Sequence, residues 1–349
     1  MMKCKHRAGW LRQKGLMRLL VAGLFVMGLL PGCSEEKTNP LLDSGFAPWA
    51  VFRDGYYYYT QGAEDVITLW KTTDITRLRN APHKVIYATD SLSQHHCWAP
   101  ELHYIDHKWY LYYTADDGNT DNHQIYVAVN PSPDPMKGVF TFKAHISTDP
   151  ENHWAIHPST FSVAGKHYLI WSGWEKRRVI TESQCIYIAE MKNPWTLASP
   201  RVLISRPEYE WERQWVNPDG NKSAYPIYVN ENPEAFVSSD KVYIYYCASG
   251  SWTPYYCVGR LEAGIHADLL DARSWKKSPE PVFRQNPEAG IYGPGGVSFV
   301  PDRKKERWYM LYHARSIPCD PAGGLDSRTP RLQVISFTPD GEPILGEPH

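Results

Sequence analysis

The feature of this sequence that most restricts its fold is an internal repeat with a period of about sixty residues, a length typical of stacked or radially arranged units. Five segments share one plan: a proline, an alternating apolar run, a polar turn and a dense aromatic strand. In the first four, the proline precedes the matching strand residue by nine positions; these pairs are Pro48 and Tyr57, Pro100 and Trp109, Pro158 and His167, and Pro233 and Val242. The fifth segment starts at Gly293-Pro294 and carries a longer turn.

Each repeat has the signature of an antiparallel hairpin, because apolar residues alternate on either side of turn sequences such as Asp54-Gly55. Further short strands follow each hairpin. Five repeats of about four strands predict an all-β, single-domain, five-bladed β-propeller over residues 39–349. A β-sandwich is the alternative, but it does not require a repeat. Long helices are not expected; residues 268–271 could form a short turn.

The first residues predict export. A basic segment is followed by an apolar run over residues 19–30, too short to span a bilayer comfortably, and then by Leu30-Pro31-Gly32-Cys33. This pattern resembles a bacterial lipobox. We therefore expect residues 1–33 to be a lipoprotein signal peptide ending at the lipidated Cys33, and residues 34–38 to be a short tether at the outer membrane or cell surface. A simple cleaved signal peptide is the alternative.

The amino-acid composition limits the classes of molecule that this protein is expected to bind. A formal net charge of -1 argues against nucleic acid, which selects basic surfaces. The 14 Trp and 23 Tyr residues favour strands and also provide flat faces for sugar rings. Beyond Cys4 and Cys33, five cysteines without CxxC spacing make a zinc site improbable and leave room for one disulfide of unknown pairing. We expect a monomer.

The prolines indicate where the chemistry should lie. Innermost propeller strands all start near one mouth of the central channel, and proline suits a strand start because it has no N–H to donate. Residues around Pro48, Pro100, Pro158, Pro233 and Pro294 are therefore expected to converge.

Several motifs resemble glycoside hydrolase family 43, inverting α-L-arabinofuranosidases and β-xylosidases; among them are Trp98-Ala99-Pro100-Glu101, Trp171-Ser172-Gly173-Trp174, Tyr292-Gly293-Pro294-Gly295 and Tyr312-His313-Ala314-Arg315. The resemblance implies a general acid at Glu231. It also implies a general base at position 47, here Ala47, and a modulating carboxylate at position 157, here His157. A channel histidine would fall at Gly296, so a central calcium ion is not expected, and no other cofactor or metal is.

Three functions remain open at this stage. The first is a hydrolase of arabinofuranosyl or xylosyl oligosaccharides or polysaccharides with a relocated base; Glu101 and neutral His157 are the candidates, and Asp43 and Glu234 are weaker ones. The second is a non-catalytic glycan-binding propeller, and the third is a structural lipoprotein. For the first two, the expected sugar contacts are Trp49, Trp98, Trp174, His313 and Arg315.

Overall fold

The structure is a computed structural model that describes residues 39–89, 94–177, 183–216, 220–222, 226–303, 305–321 and 326–349. The predicted signal peptide, Cys33 and the tether lie outside these residues. Among the described residues, helical structure consists of five 3-10 turns: Ile75–Asn80, Thr120–Asn122, Glu210–Glu212, Ala272–Ser274 and Pro287–Ala289. No helix in the described part of the chain is long and apolar enough to cross a membrane.

Five antiparallel sheets form the blades of the predicted propeller. Blade one contains β1 to β4, at Trp49–Arg53, Tyr56–Ala63, Val66–Thr72 and His83–Ala88. Blade two contains β5 to β8, at His95–Ile105, Lys108–Asp116, Gln124–Asn130 and Thr141–Ile146. Blade three contains β9 to β13, at Ala155–Val163, Lys166–Trp174, Gln184–Asn193, Thr196–Leu197 and Val202–Ser205. Blade four contains β14 to β17, at Asn230–Val237, Lys241–Ala248, Cys257–Gly264 and Lys276–Lys277. Blade five contains β18 to β21, at Tyr292–Asp302, Arg307–Arg315, Thr329–Phe337 and Pro343–Ile344.

The blades are held together by aromatic and aliphatic clusters at the blade interfaces. Residues of blades four and five share one cluster, which includes Tyr245 and Tyr312, and each of the other neighbouring pairs has its own. Fully burying a large apolar side chain contributes about 1.5–3 kcal/mol, so these interfaces stabilise the ring. The five cysteines in the described residues, Cys97, Cys185, Cys247, Cys257 and Cys319, form no disulfide.

The strand register confirms the repeat in the first four blades and corrects it in the fifth. The residue after the proline pairs with a residue eleven positions later in four blades: Trp49 with Thr60, Glu101 with Tyr112, Ser159 with Ile170, and Glu234 with Tyr245. In blade five the matching pair is Ser298 and Leu311, thirteen positions apart. Val297 therefore occupies the place of the proline, and the sequence-based alignment on Pro294 is wrong by three residues.

The same position carries a repeated backbone kink. Ala47, Ala99, His157, Asn232 and Gly296 all have φ between 43° and 60°. In blades two to five the kink coincides with a bulge in the pairing of the first strand. Left-handed backbone costs roughly 1–2 kcal/mol for a residue with a Cβ. The residues on either side of each kink therefore lie at different depths of the channel. Bulges commonly redirect side chains in this way beside functional sites.

Candidate active site

A cavity of about 470 Å³ lies over the channel mouth where the first strands begin. Six of the residues singled out from the sequence line it: Ala47, Trp98, His157, Trp174, Glu231 and His313. Trp49, Glu101 and Arg315 do not. The convergence of distant repeats on one pocket is therefore found, although two expected sugar contacts, Trp49 and Arg315, and the candidate base Glu101 lie elsewhere.

Glu231 is a buried carboxyl with a defined partner. It lies on β14, one residue before the kink at Asn232, and its side chain accepts a 2.8 Å hydrogen bond at Oε1 from the Tyr256 hydroxyl. The ring of Tyr256 is 1 % exposed and stacks on His313 at 5.6 Å. Gly295 lets this ring pack, because a Cβ there would collide with Tyr256. Tyr256 thus fixes the orientation of Glu231.

Two neutral histidines, His157 and His313, line the cavity together with Ala47. The Ala47 N–H donates to His313 Nδ1 at 3.1 Å, so the neutral imidazole of His313 carries its hydrogen on Nε2. Burial, with Arg328 and Arg315 nearby, holds the pKa of His313 well below its usual value. Burial, Arg328 and His123 lower the pKa of His157 to about 3. Since a base works best near the operating pH, His157 is poorly suited to take a proton from water.

The lack of a side chain at position 296 has a structural reason. A Cβ at this residue would lie 2.7 Å from His313 Nδ1 and 2.8 Å from the Asn232 side-chain nitrogen. The imidazole of His313 therefore occupies the space next to the kink where the sequence comparison placed a channel histidine. In the described part of the chain, no group of three or more His, Cys, Asp or Glu side chains is arranged to hold a metal ion.

Two further carboxylates, Asp121 and Asp326, line the cavity. Asp326 pairs with Arg328 through Nε at 2.9 Å and Nη2 at 2.5 Å. Burial raises the pKa of Asp326, but the Arg328 hydrogen bonds outweigh it and the pKa is lowered overall. The Arg328 guanidinium lies 4.5 Å from the ring centroid of Phe46, the residue before Ala47.

These carboxylates were missed because they lie outside the repeats. The first strand of a blade leaves the mouth and the second returns, so the loop from second to third strand opens at the mouth. Asp121 lies in the β6–β7 loop and Asp326 in the β19–β20 loop. Trp252 and Tyr256 lie in the β15–β16 loop and also line the cavity. The strand order, together with the Asp- and Asn-rich stretch 116–122, was the signal that could have located Asp121.

Glu101 and Trp49 lie deeper, in a separate channel space of about 10 Å³ that also borders Glu234. Glu101 Oε2 and His103 Nε2 are hydrogen-bonded at 2.7 Å, and Ser159 donates to Glu234 at 3.0 Å. Burial raises the pKa of both carboxyls well above the usual value, and in Glu234 the charge of Glu101 adds to the effect. A space of this size barely holds one water molecule, so it gives Glu101 no access to a sugar.

Arg315 is 1 % exposed, and its guanidinium is hydrogen-bonded to other groups of the protein. Its Nε and Nη2 atoms donate to Asp320 at 2.7 Å each, and Nη1 donates to the Ser251 carbonyl at 2.6 Å. Arg315 therefore ties the β15–β16 loop, next to Trp252, to the β19–β20 loop.

Aromatic rings form much of the cavity wall. Trp154 stacks on Trp174 with ring centroids 4.7 Å apart, and Trp98 stacks on His123 at 3.9 Å. Trp252 is 39 % exposed and lines the same cavity. Flat apolar faces beside carboxyl groups suit a sugar ring, which offers C–H faces and hydroxyl edges.

A carboxyl- and tryptophan-lined cavity at the mouth of a five-bladed propeller is chemically suited to a carbohydrate, and comparison with known proteins agrees. Residues 37–343 match the model for glycosyl hydrolases family 43. The chain belongs to this family.

The relatives are arabinofuranosidases. An extracellular exo-alpha-(1->5)-L-arabinofuranosidase from Streptomyces avermitilis is 35% identical over 327 residues, covering 90% of this chain and 64% of that protein. A protein of the same description from Streptomyces chartreusis is 34% identical, covering 85% of this chain and 91% of that protein. The crystal structure of alpha-L-arabinofuranosidase from Lactobacillus brevis superposes with a TM-score of 0.80 at 32% identity, covering 89% of this chain and 96% of that one.

Proposed function

We propose that this protein is an exported glycosidase that removes α-L-arabinofuranosyl residues from oligosaccharides or polysaccharides, with Glu231 as the general acid. The observation that carries the proposal is the buried Glu231 carboxyl, held by Tyr256 in the wall of a cavity lined by tryptophans. Arabinofuranose is favoured over xylose because the relatives above 30% identity are arabinofuranosidases.

The chemistry follows from the position of this carboxyl. As a glycosidic bond breaks, the departing oxygen gains negative charge, and a protonated Glu231 neutralises it by giving up its proton. The aromatic wall offers flat apolar faces on which the sugar ring stacks.

The test is hydrolysis of aryl α-L-arabinofuranosides, β-D-xylosides, β-D-galactosides and α-1,5-linked arabino-oligosaccharides by the full chain and by Glu231→Gln. Wild type should release arabinose, and on the arabino-oligosaccharides, whose departing sugar oxygen needs a proton, the variant should lose about 10³-fold or more in kcat/KM at unchanged thermal stability. The matched control is Glu288→Gln, an exposed glutamate in a 3-10 turn, which should behave as wild type. Saturable oligosaccharide binding without cleavage would instead support the glycan-binding function.

We also propose that Cys33 anchors the mature protein to a membrane. Support comes from the lipobox-like sequence and from the extracellular relatives. In a Gram-negative host, Cys33→Ser should move the protein from the membrane fraction to the soluble fraction, and label from radioactive fatty acid should disappear. Unchanged fractionation of the variant would favour a different anchor.

A further inference from the structure

Hydrolysis at this cavity requires a group that takes a proton from the attacking water, and in inverting glycosidases that group is a second carboxylate facing the acid. Resting on the proposed function, we propose that Asp121 is this general base. The alanine at position 47 cannot accept a proton, so the group must come from another part of the wall.

Only three of the described residues lining the cavity have carboxyl groups: Glu231, Asp121 and Asp326. Both oxygens of Asp326 are engaged by Arg328, which favours its ionised form and weakens it as a base. Glu101 does not reach the cavity. Asp326 also belongs to blade five, which adjoins the blade of Glu231, whereas Asp121 comes from a blade across the channel and can face Glu231.

The order of the blades places Asp121 on the opposite wall. Neighbouring blades contact one another in sequence, and blade five closes on blade one. In such a ring, blade four, which carries Glu231, has blades one and two across the channel. Asp121 belongs to blade two. Asp121 and Glu231 thus line the same cavity from blades that lie across the channel from each other, the arrangement that an inverting pair needs to leave room for a water between acid and base.

The loop that carries Asp121 is anchored on both sides of this residue. The Thr120 carbonyl accepts from Trp154 Nε1 at 2.8 Å, and the Asn122 side chain donates to Asp117 at 3.0 Å. The Asp121 N–H itself donates to the Asn119 side chain at 3.0 Å. A base must be held at a fixed distance from the reacting water, and this short 3-10 turn provides that rigidity.

The step balances as an ordinary hydrolysis. The Asp121 carboxylate accepts one proton from water while the water oxygen bonds to the anomeric carbon. The glycosidic C–O bond breaks at the same time, and Glu231 gives its proton to the departing oxygen. The released sugar has the inverted configuration, and a proton passes from Asp121 through solvent to restore Glu231.

The test uses 4-nitrophenyl α-L-arabinofuranoside with Asp121→Asn and Asp121→Gly. Asp121→Asn should lower kcat by about 10³-fold with KM changed by less than about threefold. Sodium azide should restore turnover in Asp121→Gly, because a small anionic nucleophile needs no base, and proton NMR should show an arabinofuranosyl azide of inverted configuration. Asp54→Asn at an exposed hairpin tip is the matched control and should retain wild-type kinetics.

Other outcomes separate the proposals. Near-wild-type turnover by Asp121→Asn, or a raised KM with kcat retained, would overturn the role as base, the latter assigning Asp121 to a sugar hydroxyl. Absence of azide product from folded Asp121→Gly would also overturn it. If wild type hydrolyses no glycoside, or Glu231→Gln is as active as wild type, the proposed function fails first. Circular dichroism and thermal unfolding of both Asp121 variants show whether a loss reflects misfolding.

Discussion

Glu231 and Glu234 lie three residues apart on one strand, yet they occupy different environments. Glu231 lines a cavity of about 470 Å³ and accepts a hydrogen bond from Tyr256. Glu234 borders a space of about 10 Å³ and is hydrogen-bonded to Ser159 and Glu101. The kink at Asn232 separates the two levels. The comparison teaches that access and partners decide what a carboxyl can do, so residue type and proximity to the repeat motif are insufficient guides to a catalytic group.

The largest effect that sharpens this comparison is expected at Tyr256. Tyr256→Phe removes the hydroxyl that orients Glu231, so kcat should fall about 10- to 100-fold with a smaller change in KM. In the wild-type protein this hydrogen bond stabilises the ionised form of Glu231. Its loss in the variant should therefore move the alkaline limb of the pH–rate profile to higher pH. A change in thermal stability alone, with the limb in place, would show that Tyr256 serves packing only.

A smaller effect on activity, and a distinct one on stability, is expected at Glu234. The raised pKa values of Glu101 and Glu234 mean that the folded protein holds protons that the unfolded chain releases above about pH 4.5. The stability that this pair contributes is present below that pH and is lost as pH rises through the raised values.

Glu234→Gln cannot release a proton, so the fall in melting temperature between pH 5 and pH 8 should shrink by about half or more, while kcat stays within about threefold of wild type. Differential scanning calorimetry across this range is the measurement. A fall in kcat like that of Glu231→Gln would break the distinction between cavity and channel.

Much of the fold could be predicted from the sequence because the repeat is local. Alternating aromatic strands and turn residues specify each hairpin, and four equal registers with a fifth related repeat leave few ways to bury their faces. The fifth repeat was misaligned because Gly293-Pro294 imitates the motif. Gly293 corresponds to His96 in blade two, which also has a left-handed backbone and lies three residues before Ala99. Only the strand pairing distinguishes this earlier kink from the one at the start of the repeat.

The site was less predictable because its loops carry no repeat. Glu231 could be located from its neighbouring proline, but Asp121 and Asp326 become cavity residues only through the path of the inter-strand loops. The sequence also does not show which polar side chains can reach a substrate. Arg315 lies beside the site, but only the structure shows that its guanidinium donates hydrogen bonds to Asp320 and to the Ser251 carbonyl.

The five left-handed positions bear on how a protein of this kind diversifies. Alanine, histidine, asparagine and glycine all adopt the same conformation there, so the ring sets the backbone while the side chain differs from blade to blade. The kink is therefore a property of the ring and not of one residue type. The chemical groups presented at the start of each blade depend on the side chain that this fixed backbone carries.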